Sequence, residues 1–462
     1  MTSAVAPAPA EHRAPAPGAR RAVPVAVAAV VGLVAVLVGA SVVGGALGTA
    51  APTALQEAGL VVQVAAPVVS LAARVAAVGT VGALLLAAVL LPAGSAERTG
   101  PARRAMAAAS AWAAAWAVAT ALGGLLTVSR LVGVFPTALD GSSLRVFLAD
   151  TGAGQAVLLV VALGGVIAVA ARSGAGVGRA RALLGLALAG LVVPVVLSGH
   201  SSAAEDHLVA VTTLAVHVVA ASLWVGGLGA LLCWGRGEVE AVGRYSAGAL
   251  VCFLATAVSG VLAAVLVLGS AGAVVDALGS GYGALLIAKA LGLTVAGVLG
   301  RRHRQVTLPQ LRAGRPGAFR RLAVVEVAVL LTTVALAVAL AASPPPSPAA
   351  ATTTSAATPT GSAPAGVAPA EDPMAGHDHG ELSVGVLIDD SRFHVAGPVT
   401  AGQRVTVHNG SDQRVTITAD DGSFDVEVPA STLLTFLAPE QPGEYPFTSR
   451  HSPDFADVLV VG

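Results

Sequence analysis

The chain has 462 residues, of which 55% are hydrophobic and 11% charged, with a mean hydropathy of +0.80. Soluble proteins carry about 25% charged residues, so an ordinary soluble domain is excluded and a polytopic membrane protein is indicated. The formal net charge of +0 hides an asymmetry: residues 371–462 hold 15 Asp and Glu against 4 Arg, whereas residues 1–370 hold 11 Asp and Glu against 22 Lys and Arg. An acidic tail on a basic membrane part fits two compartments or a cationic ligand. The basic residues sit in short loops between apolar runs, which argues against a nucleic-acid partner. The two cysteines, Cys233 and Cys252, lie in the membrane region, form no CxxC motif and read as small packing residues.

Residues 1–21 are rich in Ala and Pro, end in Arg20-Arg21 and read as a cytoplasmic tail. About nine apolar runs follow, near 23–48, 65–93, 105–130, 153–172, 180–199, 208–233, 245–269, 283–300 and 321–342. Each has roughly the 20 residues that a helix needs to cross a hydrocarbon core of about 30 Å. The loops near 94–104, 172–181, 234–244 and 301–321 are rich in Arg, and the alternate loops are poor in it. The bias of positive charge toward the inner side then places the N-terminus in the cytoplasm and the C-terminus outside, in a multi-pass protein of the cytoplasmic (inner) membrane. Spans 22–197 and 198–342 form two membrane regions. Residues 343–372 form a Pro/Thr/Ser/Ala linker that builds no core. In 373–462, short strand-like runs separated by DD, GSD, DDG and PG turns predict a small extracytoplasmic antiparallel β-sandwich. The fold class is thus a polytopic all-α membrane protein with a small all-β domain.

The stretch from Ser198 to Trp224 concentrates the chemistry. His200 closes one span, Asp206 and His207 open the next, and His217 lies roughly 15 Å deeper along it. Asp206 and His217 nearly share a helix face, as do His217 and Trp224; His207 and His217, ten positions and about 280° apart, do not. Ionisable groups inside a membrane span are costly and read as functional. Imidazole suits copper, and neutral imidazole tolerates low dielectric. His200 and His207 read equally as interfacial polar residues, and His217 as a hydrogen bond between helices. Arg74, Lys289 and Glu326 are further intramembrane charges. Lys289 either snorkels outward or, with Arg74, pairs with Asp206 or organises an outer cavity. With only Met1, Met106 and Met374 in the chain, a thioether ladder for Cu(I) is absent.

These residues carry a resemblance. SGH followed by HxxAASLWVGGL (217–228), then RYSAGAL (244–250), SGVLAA (259–264), GSGYGALLIAKALGL (279–293), the Arg-rich loop at 301–304 and a last helix opening with Arg320, Arg321 and Glu326 resemble the CopD copper-resistance family over roughly 198–342. Spans one to five are similar in layout to the longer actinobacterial members. The resemblance implies a membrane protein of copper homeostasis that moves copper across the membrane, usually inward, often linked to a periplasmic copper-binding protein or domain. It points to His200, His217, Trp224, Tyr282, Lys289 and Glu326.

The tail resembles a cupredoxin in PGEYPFTSRHSPDF (442–455), where the last-strand pattern leads to the copper ligands. The resemblance puts Thr448 at the Cys position, Asp454 or Phe455 at the Met position and Val415 at the upstream His, and retains His451. No type 1 copper is therefore expected, since that centre needs a His₂Cys set, and the domain reads as a docking or structural module. His377 and His379 in GHDHG, among Asp372, Asp378 and Glu381, form a candidate Cu(II) or Zn(II) patch. His394 and His408 are expected on the strand surface. Without a Walker or phosphorylation motif the chain reads as a copper transporter, neither an ATP-driven pump nor an enzyme. The alternatives are a copper sensor or assembly partner, for instance of an oxidase, and a haem-bearing redox protein, which would need a second deep histidine facing His217.

Overall fold

The computed structural model describes residues 17–47, 58–91, 100–174, 176–197, 207–235, 238–313, 315, 317–346, 385–389, 391–411, 413–430, 432–451 and 455–462. The apolar runs form helices α1 (Pro17–Val43), α2 (Leu60–Leu85, continued by a π-helical turn Leu86–Leu90), α3 (Gly100–Val132), α4 (Gly141–Asp150), α5 (Gly152–Ala170), α6 (Val177–Leu197), α7 (His207–Trp234), α8 (Val239–Leu268), α9 (Ala271–Ala277), α10 (Gly281–Arg302, continued by a π-helical turn His303–Thr307), α11 (Leu308–Arg312) and α12 (Gly317–Ala342). Among the described residues eight helical stretches are long and apolar enough to cross a bilayer, and Val27–Val43 of α1 is a shorter apolar ninth.

Helix α2 packs against α3, α6 and α7. In lipid the helices gain little from apolar burial against each other, so close backbone approach through small residues matters more. A Cβ on Gly82 of α2 would lie 2.0 Å from the Gly226 carbonyl oxygen of α7, so this crossing requires glycine on both sides. That is the structural content of the VGG run that follows Trp224. The SGYG turn is built similarly. Ser280 Oγ accepts from the Gly283 amide (3.1 Å) and donates to Ala277 O (2.7 Å), capping α10. Cβ atoms on Gly281 and Gly283 would collide with Val43 O and Ala277 O.

Described Arg residues of the loops gather at one end of the bundle, where they donate to main-chain carbonyls of neighbouring helices. Arg181 Nε donates to Ala88 O (3.3 Å), Arg244 Nη1 to Leu91 O (3.1 Å) and Arg304 to Ser246 O. The opposite end joins the end of α1 to Gly281 and Ser343, and the start of α5 to Leu197.

The tail is a sandwich of two four-stranded sheets built from β1 (Val386–Ile388), β2 (Phe393–Val395), β3 (Arg404–Asn409), β4 (Val415–Ala419), β5 (Asp425–Val428), β6 (Thr432–Leu437), β7 (Gly443–Thr448) and β8 (Ala456–Val461). The orders are β2-β1-β3-β6 and β5-β4-β7-β8. The expectation of an antiparallel sandwich is corrected at one pairing, because β1 runs parallel to β3. Phe393, Phe424, Phe447 and Phe455 fill the space between the sheets with Val386, Ile388, Val407 and Ile417.

The alternation along the strands puts His394, Leu387, His408 and Leu433 in one row across the outer face of the first sheet. All four are buried, because this face packs on the membrane bundle: Leu387 and Leu433 join Val128, Leu131 and Val132 of α3 and Phe147 of α4 in one apolar cluster. His394 and His408 are therefore not the surface residues expected from the strand pattern. One face of the sheet covers the sandwich core and the other covers the bundle.

Candidate functional site

Helices α2, α3, α5, α6, α7, α8, α9, α10 and α12 line an open cavity of about 1280 Å³, and Leu387 and His408 of the sandwich add to its wall. The lining is mostly apolar, with Trp116 and Trp224 among it. Its ionisable side chains are Arg74, Arg130, His217, Lys289 and His408; no Asp or Glu lines it among the described residues. Lys289 and Arg74 both line this cavity.

His217 is held by α8. Its Nδ1 lies 3.0 Å from Ser259 Oγ. Ser259 Oγ lies 2.5 Å from Ala255 O, the helical carbonyl four residues back, and donates its one proton there. In the tautomer that carries its proton on Nδ1, the ring donates to Ser259 Oγ and its lone pair lies on Nε2; the Thr256 backbone is a second neighbour of the ring. This is how a ligating histidine is ordinarily prepared: a partner at one nitrogen fixes the tautomer and leaves the other nitrogen to the metal. The Cε1–Nδ1 edge packs over Gly260, where a Cβ would lie 3.3 Å from Cε1.

Trp224, one helix face with His217, is buried and stacks edge-on against Phe253 (5.6 Å, 84°). Its carbonyl accepts from Tyr245 Oη at 2.8 Å, so α7 and α8 are tied together just below the cavity. Tyr282 is buried at the first turn of α10. Glu326 is remote from these residues in role: it is buried in α12 at the Arg-rich end, with Oε2 3.2 Å from His303 Nε2. His303 sits in the π-helical turn after α10, its ring against Phe319 (5.4 Å). Sequence reasoning passed over His303 because it lies within the charged run RRHRQ, which reads as a loop; the buried acid facing it was the available signal.

His200, Asp206, His377 and His379 lie outside the described residues. His207 begins α7, and its side chain is likewise not described. Among the positions of the cupredoxin resemblance, Val415 is buried in the sandwich core, Thr448 ends β7, and Phe455 packs edge-on against Phe393 (5.6 Å). His451 is exposed in the turn between β7 and β8. A buried polar pair of the tail is His394 and Asp389, with Nε2 2.7 Å from Oδ2. Burial pushes the Asp389 carboxyl up, but hydrogen bonds from His394, the Ser391 hydroxyl and the amides of Ser391 and Arg392 outweigh it and hold the group below the ordinary carboxylate range. Among the described residues no three His, Cys, Asp or Glu side chains come together as a metal set.

A helical bundle of this kind, with a mostly apolar cavity under a docked all-β domain, is a multi-pass membrane protein with a separate sandwich. Residues 239–340, from the start of α8 to near the end of α12, match the family model for Copper resistance protein D, so this segment of the chain is similar to that family. The match takes in RYSAGAL, SGVLAA and GSGYGALLIAKALGL; HxxAASLWVGGL on α7 lies before it. No curated protein and no solved structure gives a significant match to this chain.

Proposed function

We propose that this protein carries copper across the cytoplasmic membrane through the cavity, inward, with His217 as a ligand to the cargo ion. The observation that carries the reading is the orientation of His217 by Ser259: the donor of α7 is set by a hydroxyl on α8, inside the copper-resistance segment. A neutral Nε2 lone pair in a low-dielectric wall is a suitable stop for copper, which favours imidazole. His200 and His207 precede His217 along the chain and would receive the ion first. The gathering of Arg residues at the far end of the bundle supports an inner location for that end, and hence an outer location for the sandwich and the N-terminus of α7. His377 and His379 would then concentrate copper near the mouth, and His451 would stand exposed on the same domain. An extracytoplasmic copper-binding protein is a partner that this arrangement accommodates.

Cellular copper accumulation tests the reading. In cells expressing the protein, replacing His217 with Ala should return accumulation to the level of cells without it, while a His303→Ala protein at equal membrane abundance should still accumulate copper. Equal accumulation by wild type and His217→Ala would remove His217 from the route.

A further inference from the structure

The cavity wall runs out to the lipid-facing surface between α8 and α10. Toward the Arg-rich end these helices touch, and a Cβ on Gly297 of α10 would lie 3.0 Å from the Phe253 ring of α8. Toward the other end both line the cavity, α8 through Ala257, Gly260 and Ala264 and α10 through Leu286 and Ala290. Leu254, Val258 and Val261 follow one another at helical spacing along an exposed apolar stripe of α8, as Ile287, Leu291, Val295 and Val298 do on α10. Such a stripe on a spanning helix faces hydrocarbon. Val261 is 69% exposed and Ile287 51%, and each also lines the cavity. The lipid-facing stripe of each helix therefore continues into the cavity wall. His217 stands inside this opening, its ring against Gly260. The mostly apolar wall offers water few partners, and an empty space would forfeit contacts along its whole lining. The volume of about 1280 Å³ exceeds the roughly 300–1,000 Å³ of usual small-molecule pockets.

We infer that the gap between α8 and α10 is a lateral portal through which an acyl chain of a bilayer phospholipid enters and fills the apolar part of the cavity. A hydrocarbon chain passes Val261 and Ile287 without desolvating a polar group, and it replaces lipid contacts by protein contacts of the same kind. The head group stays at the membrane interface. The inference rests on the wall and its rim and does not need the copper reading.

Fluorescence quenching of the full-length protein in phosphatidylcholine nanodiscs provides the test. Trp116 and Trp224 line the cavity and are each 4% exposed, whereas Trp112 is 36% exposed. A Trp112→Phe, Trp234→Phe protein keeps the two cavity rings as its only tryptophans. Phosphatidylcholine brominated midway along its chains should lower their fluorescence at least twofold relative to the unbrominated lipid, and acrylamide in the water should quench them less than bromine does. Ala264→Phe and Ala290→Phe, which narrow the portal from α8 and from α10, should each cut the bromine quenching at least twofold, with thermal unfolding compared for every protein. Absence of bromine quenching would overturn the portal. So would equal quenching in the folded Phe variants, which would place the bromine outside the bundle. Stronger quenching by acrylamide than by bromine would show a water-filled cavity and overturn it as well, and this comparison needs neither portal variant. Copper titration of the same samples reports separately on the copper reading.

Discussion

The two ends of the bundle each hold a histidine against a partner, and the partners differ. At the cavity end His217 meets a serine hydroxyl, which accepts from one nitrogen and adds no charge. At the Arg-rich end His303 meets the carboxylate of Glu326, buried and 3.2 Å away. His303 Nε2 and Glu326 Oε2 are buried and face each other without a hydrogen bond, whereas His217 Nδ1 and Ser259 Oγ are within hydrogen-bond distance. The same residue type thus faces a buried carboxylate of α12 in one place and is a candidate ligand in the other. The sandwich repeats the first arrangement in His394 and Asp389. What distinguishes a functional histidine here is its partner more than its depth.

Four substitutions break or sharpen that contrast. Glu326→Ala should have the largest effect on stability, because removing one member of a buried ionisable pair costs about 3–5 kcal/mol when the other is left without compensation. A thermal unfolding curve of the full-length protein should show it, with copper affinity nearly unchanged in the folded fraction. Leu433→Asp should come next. It puts a charge into the apolar contact of Leu433 with Val128, Leu131 and Phe147 while sparing the sandwich core, and it should expose the sandwich to protease by undocking it, at a cost of about 2–4 kcal/mol. Ser259→Ala should weaken copper about tenfold without unfolding the bundle, since partners of this kind typically contribute 10–100-fold to metal affinity. The smallest effect concerns acid. Asp389 has a depressed pKa when folded, so it adds stability that is present above the unfolded carboxylate value of about 3.9 and is lost as pH falls through the lower folded value. Asp389→Asn should reduce stability at pH 7 and abolish that acid-dependent loss, as read from unfolding midpoints between pH 2 and pH 7.

Much of the fold was legible in the sequence because lipid and periodicity constrain it tightly. The apolar runs could only be spanning helices, and the alternation of the tail could only be strands. His217 stood out as an ionisable group in an apolar helix, and Lys289 and Arg74 likewise. What could not be read was their assembly. Arg74, Arg130, His217 and Lys289 lie on four helices far apart in sequence, and no local pattern announces that they share one wall. His394 and His408 show the same limit from the other side. Their register correctly puts them on the outer face of the sheet, but that face is buried by α3 and α4, and the apolar Leu387 and Leu433 beside them were the trace of it. Glycines in the VGG and SGYG runs carried family resemblance as letters, and their physical basis is the approach of Gly226 to Gly82 and of Gly281 to Val43.

The central claim is that His217, beside Ser259, holds copper, whereas His303, facing Glu326, does not. A copper titration of the full-length protein in nanodiscs, with wild type, His217→Ala and His303→Ala compared at equal folded fraction, tests it most directly. At least a tenfold loss of affinity in His217→Ala alone is the result this account predicts. Equal affinity in wild type and His217→Ala, or a loss confined to His303→Ala, would contradict it.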